Sequence, residues 1–203
     1  MQIIPESSSV QLATCKALNS IILESEAHMK IAMSLGVVDA TICLILVHPH
    51  DVMVLQEAIK VLGNLCDLKS CLDEMAEKGG ITTVIDAMRS NSSSVELIIT
   101  GAGFIRSMNA QYADASSGCI IPIISCMNSH PESKELIVES CCALKSLVAK
   151  SEYCKERVLV ANGRSILEKI ITEKKYIDTT LQSNDRRNAS VTVSIHSLLD
   201  ELC

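Results

Sequence analysis

The chain has 203 residues, a formal net charge of -6 and a hydrophobic fraction of 48%, but only 2% aromatics: one Phe, three Tyr and no Trp. That length holds one sizeable aliphatic core or a stack of four to six helical repeats. The acidic balance, with no basic run and no aromatics set among bases, argues against nucleic acid as a partner, and no apolar run reaches the ~18 residues of a membrane span.

The pattern predicts a helix over Ser7–Leu23, then Ser25–Leu35, Val37–Val47 and Asp51–Leu68. It continues with Lys69–Lys78, Thr82–Arg89 and Ser94–Asn109, then a short Gln111–Ser117, Ile120–Met127 and Glu132–Lys150. Ser151–Val160, Arg164–Lys174 and Ala189–Leu202 close the series, with the polar insertion Tyr176–Arg187 read as a loop. The apolar period is helical throughout. In Asp51–Asp67, for example, Val54, Leu55, Ala58, Ile59, Leu62, Leu65 and Cys66 share one face, while Gln56, Glu57, Lys60, Gly63 and Asn64 share the other. Asp51 is placed to cap that helix. No alternating strand pattern of useful length occurs, so the expected class is all-α.

One phrase recurs: Leu18-Asn-Ser-Ile21, Leu62-Gly-Asn-Leu65, Ile105-Arg-Ser-Met108, Leu144-Lys-Ser-Leu147 and Ile195-His-Ser-Leu198. Its Asn or Ser falls at Ser20, Asn64, Ser107, Ser146 and Ser197, spaced by 44, 43, 39 and 51 residues. Gly36, Gly80, Gly118 and Gly163 keep a similar period and are expected at sharp bends between helices. Pro5, Pro49 and Pro131 each precede a phrase by 15 residues, where a helix is expected to begin, and Pro122 marks another helix start. Small residues at Thr14, Ala58, Gly101 and Ser140, with Val191 in the fifth copy, are expected to let helix axes approach closely. A period near 40 is that of a solenoid with two or three helices per repeat.

Ten cysteines are scattered with no CxxC, and Cys15, Cys66, Cys126 and Cys141 fall on apolar faces. They are expected to be small buried hydrophobes in a reducing compartment rather than disulfides or zinc ligands. His48-Pro49-His50 lacks a companion Cys or carboxylate pair and is expected to be a solvated loop. His28, His130 and His196 are dispersed and no Gly-rich phosphate loop occurs, so no enzyme, cofactor or metal is expected.

Gly36-Val-Val-Asp-Ala40 through Ala58-Ile-Lys-Val-Leu-Gly-Asn-Leu65, with Gly118-Cys-Ile-Ile-Pro122, resembles the three-helix unit of the armadillo-repeat family, whose long third helix ends A-L-x-N-L. The resemblance covers nearly the whole chain. It implies a right-handed α-solenoid of about four repeats, at 25–68, 69–110, 111–150 and 151–203, behind a leading partial repeat at 1–24. It also implies that the third helices line a concave groove, and that Asn64 holds the backbone of an extended peptide there. Ser20, Ser107, Ser146 and Ser197 stand at the same position with a shorter reach. The Trp that a nuclear-localisation-signal receptor places four residues earlier is Lys16, Lys60, Gly103, Cys142 and Val193 here, so that activity is not expected.

Lys16, Lys60, Arg106, Lys145 and His196 fall four or one residues before the phrase positions and are expected to form a basic seam favouring an acidic or phosphorylated segment. Asn19 and Asn64 are expected either to contact a partner or to tie neighbouring helices together. The expected role is therefore protein or peptide binding in the cytoplasm or nucleus; the alternative is a purely structural segment of a larger scaffold. A leading unit with a third helix alone is expected to expose apolar surface available for end-to-end contact.

Overall fold

The computed structural model describes residues 7–108, 110–173 and 186–203. Its helices are α1 Ser8–Ile22, α2 Glu26–Ser34, α3 Val37–Val47, α4 Val52–Leu65, α5 Lys69–Glu77, α6 Gly80–Ser90 and α7 Val95–Arg106. They continue with α8 Ala113–Ser116, α9 Ile120–Ser129, α10 Lys134–Val148, α11 Glu152–Val160, α12 Gly163–Thr172 and α13 Arg186–Glu201. No strand occurs among the described residues. The predicted loop at Tyr176–Arg187 falls outside the described residues up to 185, and α13 already begins at Arg186, before the predicted Ala189.

Each repeat contributes a first, a second and a third helix, and like helices stack. The third helices form an unbroken ladder, α1 on α4, α4 on α7, α7 on α10 and α10 on α13. In the second-helix layer α3 packs on α6, and α9 on α12. The 39-residue spacing has a plain cause in the first helix. It is nine residues long as α2, α5 and α11, but in the third repeat it shrinks to the four of α8, flanked by 3-10 turns at Ala110–Tyr112 and Ser117–Cys119.

Junctions repeat as faithfully as helices. The second helices of the first three repeats end on His48, Asn91 and His130 with φ near -120°, and a three-residue turn brings the amide of Asp51, Ser94 or Ser133 back to that residue's carbonyl. Asp51 and Ser94 then cap α4 and α7, accepting from the amides of Val54 and Leu97. Pro49 and Pro131 lie inside this turn, three residues ahead of the first helical residue, rather than at the helix start itself. Pro122 is in the first turn of α9, where its missing N–H has no partner to lose.

The glycine period needs a different reason at three positions. The left-handed residues between first and second helices are Gly36, Gly79 and Asn162, at φ 76°, 71° and 58°, so in two repeats the bend falls one residue before the expected Gly80 and Gly163. Gly80, Gly118 and Gly163 serve close packing instead. A Cβ on them would meet Ile42 of α3 at 3.0 Å, Ile85 of α6 at 2.9 Å and Ile124 of α9 at 3.1 Å. The second, third and fourth repeats thus each seat a glycine on an isoleucine of the preceding second helix.

The core runs the length of the ladder. Val54, Leu55, Ala58, Ile59, Leu62, Leu65 and Cys66 are all buried, as the helical period predicts. Cys15, Cys66, Cys71, Cys119, Cys126, Cys141 and Cys154 are buried free thiols, while Cys43 and Cys203 are exposed. Burial pushes the thiols of Cys15 and Cys126 up to about 11 and those of Cys66, Cys71 and Cys119 up to about 12, which keeps them protonated small hydrophobes. In the leading partial repeat and the first full repeat Val10, Ile31, Leu35 and Leu46 are exposed, as Val160 and Val193 are in the last. No single helix among the described residues is long and apolar enough to cross a membrane.

Candidate binding groove

The recurring phrase ends each third helix on the side away from the core. Lys16, Ser20, Lys60, Arg106 and His196 are exposed, Asn64, Ser107, Lys145, Ser146 and Ser197 half-buried, and Asn19 buried. Several hydroxyls bond within their own helices. Ser20 donates to the Lys16 carbonyl and Ser107 to that of Phe104, His196 Nδ1 donates to the Thr192 carbonyl, and Ser146 accepts from Lys150 Nζ. Lys150 also reaches back to donate to the Met108 carbonyl.

At Asn19, Arg106 and Lys145 the residue just before the phrase position behaves differently, because it bridges to the next third helix. Asn19 Nδ2 donates to the Glu57 carbonyl at 3.1 Å and to its Oε2 at 3.2 Å, joining α1 to α4. Arg106 pairs with Glu139 at 2.8 Å, joining α7 to α10. Lys145 donates to Ser197 Oγ at 2.6 Å and stands 3.9 Å from Glu201, joining α10 to α13. Glu57 and Glu139 share a position, seven residues before Asn64 and Ser146. Lys60 also pairs with Glu57, at 2.8 Å. The expected basic seam is therefore largely a row of ion pairs, with Lys16 lacking a partner among the described residues. Such exposed pairs are each worth about 0–1 kcal/mol to stability. What they fix is the width of each junction.

Between α4 and α7 the bridge at the equivalent positions is missing, and the polar contact across this junction is instead the Cys66 thiol beside the Ser107 hydroxyl. Gly63 occupies the bridging position, and Thr100 stands where the neighbouring junctions have Glu57 and Glu139. Thr100 donates to the Glu96 carbonyl in its own helix instead. A cleft of about 430 Å³ opens there, walled by Gly63 of α4 and Gly103 of α7, with Ile59, Ile99, Phe104 and Leu23 as apolar lining. Its polar rim is Lys60, Asn64, Asp67, Thr100 and Ser107.

Neither glycine is required by the fold. A Cβ on Gly103 would meet nothing within 4 Å, and one on Gly63 only ordinary contact with Phe104 at 3.9 Å. A glycine inside a helix costs about 1 kcal/mol against alanine. Two residues from Gly103, Gly101 has the opposite character, since a Cβ there would collide with the buried side chain of Met88. That collision gives the small residues at this repeat position their expected packing role.

Asn64 sits where the cleft meets the bridged α1–α4 junction. Its Nδ2 donates to Asn19 Oδ1 at 3.0 Å, which orients the amide and leaves Oδ1 and the second amide hydrogen without partners among the described residues. The peptide-backbone role implied for Asn64 thus falls on the lip of an apolar cleft. Glu57, Asp67, Thr100, Gly103 and Phe104 complete the site, although the sequence reading did not single them out for it. Aligning the five phrases and looking seven residues back would have exposed the Glu57, Thr100 and Glu139 series. Among the described residues, no three His, Cys, Asp or Glu side chains are grouped so that they could hold a metal ion.

No protein-family model matches this chain, and no curated protein sequence does. Solved structures match over nearly its full length. An engineered protein from the Northeast Structural Genomics Consortium has a TM-score of 0.75 at 16% identity, covering 97% of this chain and 76% of that one. A designed armadillo repeat protein in complex with the peptide (KR)4 has a TM-score of 0.72 at 17% identity, covering 98% and 77%. A second designed armadillo repeat protein has a TM-score of 0.66 at 14% identity, covering 98% and 97%. The fold is that of an armadillo-type α-solenoid.

Proposed function

With the armadillo-type solenoid as premise, we propose that this chain is a non-enzymatic interaction module that holds an extended peptide or protein segment along its third helices. The observation that carries this is Asn64, an amide oriented by Asn19, with a free acceptor and a free donor hydrogen at the lip of the cleft. One peptide unit of an extended segment can satisfy both. The designed repeat protein in complex with (KR)4 supports the reading, because a similar scaffold takes a peptide. Ten free thiols favour a reducing compartment, cytoplasmic or nuclear. The test is a peptide selected on the intact chain from a random display library. Asn64→Ala is expected to weaken its binding about tenfold, the loss of one or two hydrogen bonds at about 0.5–1.5 kcal/mol each. An unchanged Kd would remove Asn64 from the site, and a library yielding no binder would favour a purely structural segment of a larger scaffold.

An acidic segment is the second reading, favoured by Lys16, Lys60, Arg106 and Lys145 lying on one ridge. It has to compete with Glu57, Glu139 and Glu201 for three of those four bases. Lys60→Glu with Arg106→Glu is expected to abolish binding of such a segment while far-UV helicity stays unchanged. Retained affinity rejects the acidic reading.

A further inference from the structure

We infer that the α4–α7 cleft is a pocket for one large apolar side chain of the bound segment, and that Asp67 selects a Lys or Arg beside that anchor. The inference rests on the peptide-binding reading and adds the chemistry of the ligand. Three observations at different positions lead to it.

The first is the interrupted ladder. Asn19–Glu57, Arg106–Glu139 and Lys145–Ser197 span the other third-helix junctions, whereas the equivalent Gly63 and Thr100 leave theirs open. The second is the lining. Phe104, Ile59 and Ile99 supply apolar lining together with Leu23, which is 64% exposed, and a Cβ on either flanking glycine would meet no more than ordinary contact. A cleft of about 430 Å³ lies within the range that takes a small ligand or a side chain with its backbone. Burying a Leu, Ile, Met or Phe there removes apolar surface on both partners from water.

The third is charge. Of the two charged residues on the rim, Lys60 is committed to Glu57, whereas Asp67 is exposed and has no ion pair among the described residues. The rim therefore carries an uncompensated negative charge. Asp67 lies in the turn that follows α4, four residues after Gly63, and lines the same cleft. A Lys or Arg within two residues of the anchor reaches it.

The experiment is a random peptide-display selection on the intact wild-type chain, followed by fluorescence anisotropy with the selected peptides. Enrichment of one large apolar residue with Lys or Arg within two positions is expected. Gly103→Leu fills the cleft from α7 and is expected to weaken these peptides at least tenfold. Asp67→Lys is expected to keep the apolar requirement and reverse the charge preference of its neighbour. Unfolding midpoints of both variants should equal or exceed wild type, and Gly63→Leu provides an independent filling from the opposite wall if Gly103→Leu fails to fold. Selected peptides that lack an apolar anchor, or that bind the filled variants as tightly as wild type, overturn the inference while leaving peptide binding intact. No selected peptide at all overturns peptide binding itself.

Discussion

Two adjacent junctions, α1 on α4 and α4 on α7, are built from the same helix packing and reach opposite outcomes. In the first, Asn64, Asn19, Glu57 and Lys60 form a continuous hydrogen-bonded chain, and Asn19 is only 8% exposed. In the second, the equivalent positions hold Gly63 and Thr100, and a cleft remains. The backbone period sets where a junction falls. Two side chains per junction decide whether it is a seam or an opening.

The sharpest way to break this contrast is to supply the absent bridge. Gly63→Arg with Thr100→Glu copies the Arg106–Glu139 pair into the open junction, and is expected to lower affinity for a selected peptide at least about 100-fold, or about 2.7 kcal/mol. Isothermal titration checks it. Either single substitution is expected to do less, because neither alone closes the gap.

Next in size is a comparison within α7. Gly101→Ala forces its methyl into the Met88 side chain and is expected to destabilise the fold by about 1–3 kcal/mol, whereas Gly103→Ala meets nothing and is expected to stabilise it by about 1 kcal/mol. Urea unfolding of both variants tests the opposite signs. If both lose stability, the open junction is held apart by something other than missing side chains.

Asn19→Ala removes the donor from a Glu57 side chain that is 15% exposed and frees the Asn64 amide. A loss of about 1–2 kcal/mol in stability is expected, together with weaker peptide binding through Asn64, which a purely structural bridge would not produce. Arg106→Ala is expected to cost least. Its pair with Glu139 has side chains 51% and 28% exposed, so less than about 1 kcal/mol is at stake, shrinking further in high salt.

The helices and their period were legible because they are written locally. Apolar spacing placed all thirteen predicted helices, and capping by Asp51 could be anticipated from the chain alone. The glycines show where this stops. Their spacing was visible, yet Gly80 and Gly118 owe their place to Ile42 and Ile85 in the preceding repeat, contacts no local window contains, while Gly163 is crowded both by Val158 of its own repeat and by Ile124 of the preceding one. Pro49 and Pro131 fell one short turn from their expected place, because the junction holds a three-residue turn before the cap, whereas Pro122 is at a helix start as expected and Pro5 lies outside the described residues. At the site, the phrase found Asn19, Asn64, Arg106 and Lys145, but their partners lie 33 to 52 residues away in sequence. Net charge on the ridge was accordingly overestimated from one side of each pair. Gly63 could be read from the sequence as leaving groove space or permitting close packing, but Thr100 becomes informative only beside the occupied junctions.

The glycine-on-isoleucine contacts have a consequence for shape. They set the thickness of the outer layer at one methyl's tolerance per repeat, on the side opposite the ridge of Lys60 and Arg106. A thicker spacer there, such as Gly118→Ala, whose methyl would press on Ile85 at 2.9 Å, is expected to wedge the outer helices apart and change the curvature of the superhelix without altering any residue that a ligand would touch, a change that small-angle X-ray scattering of the variant would register.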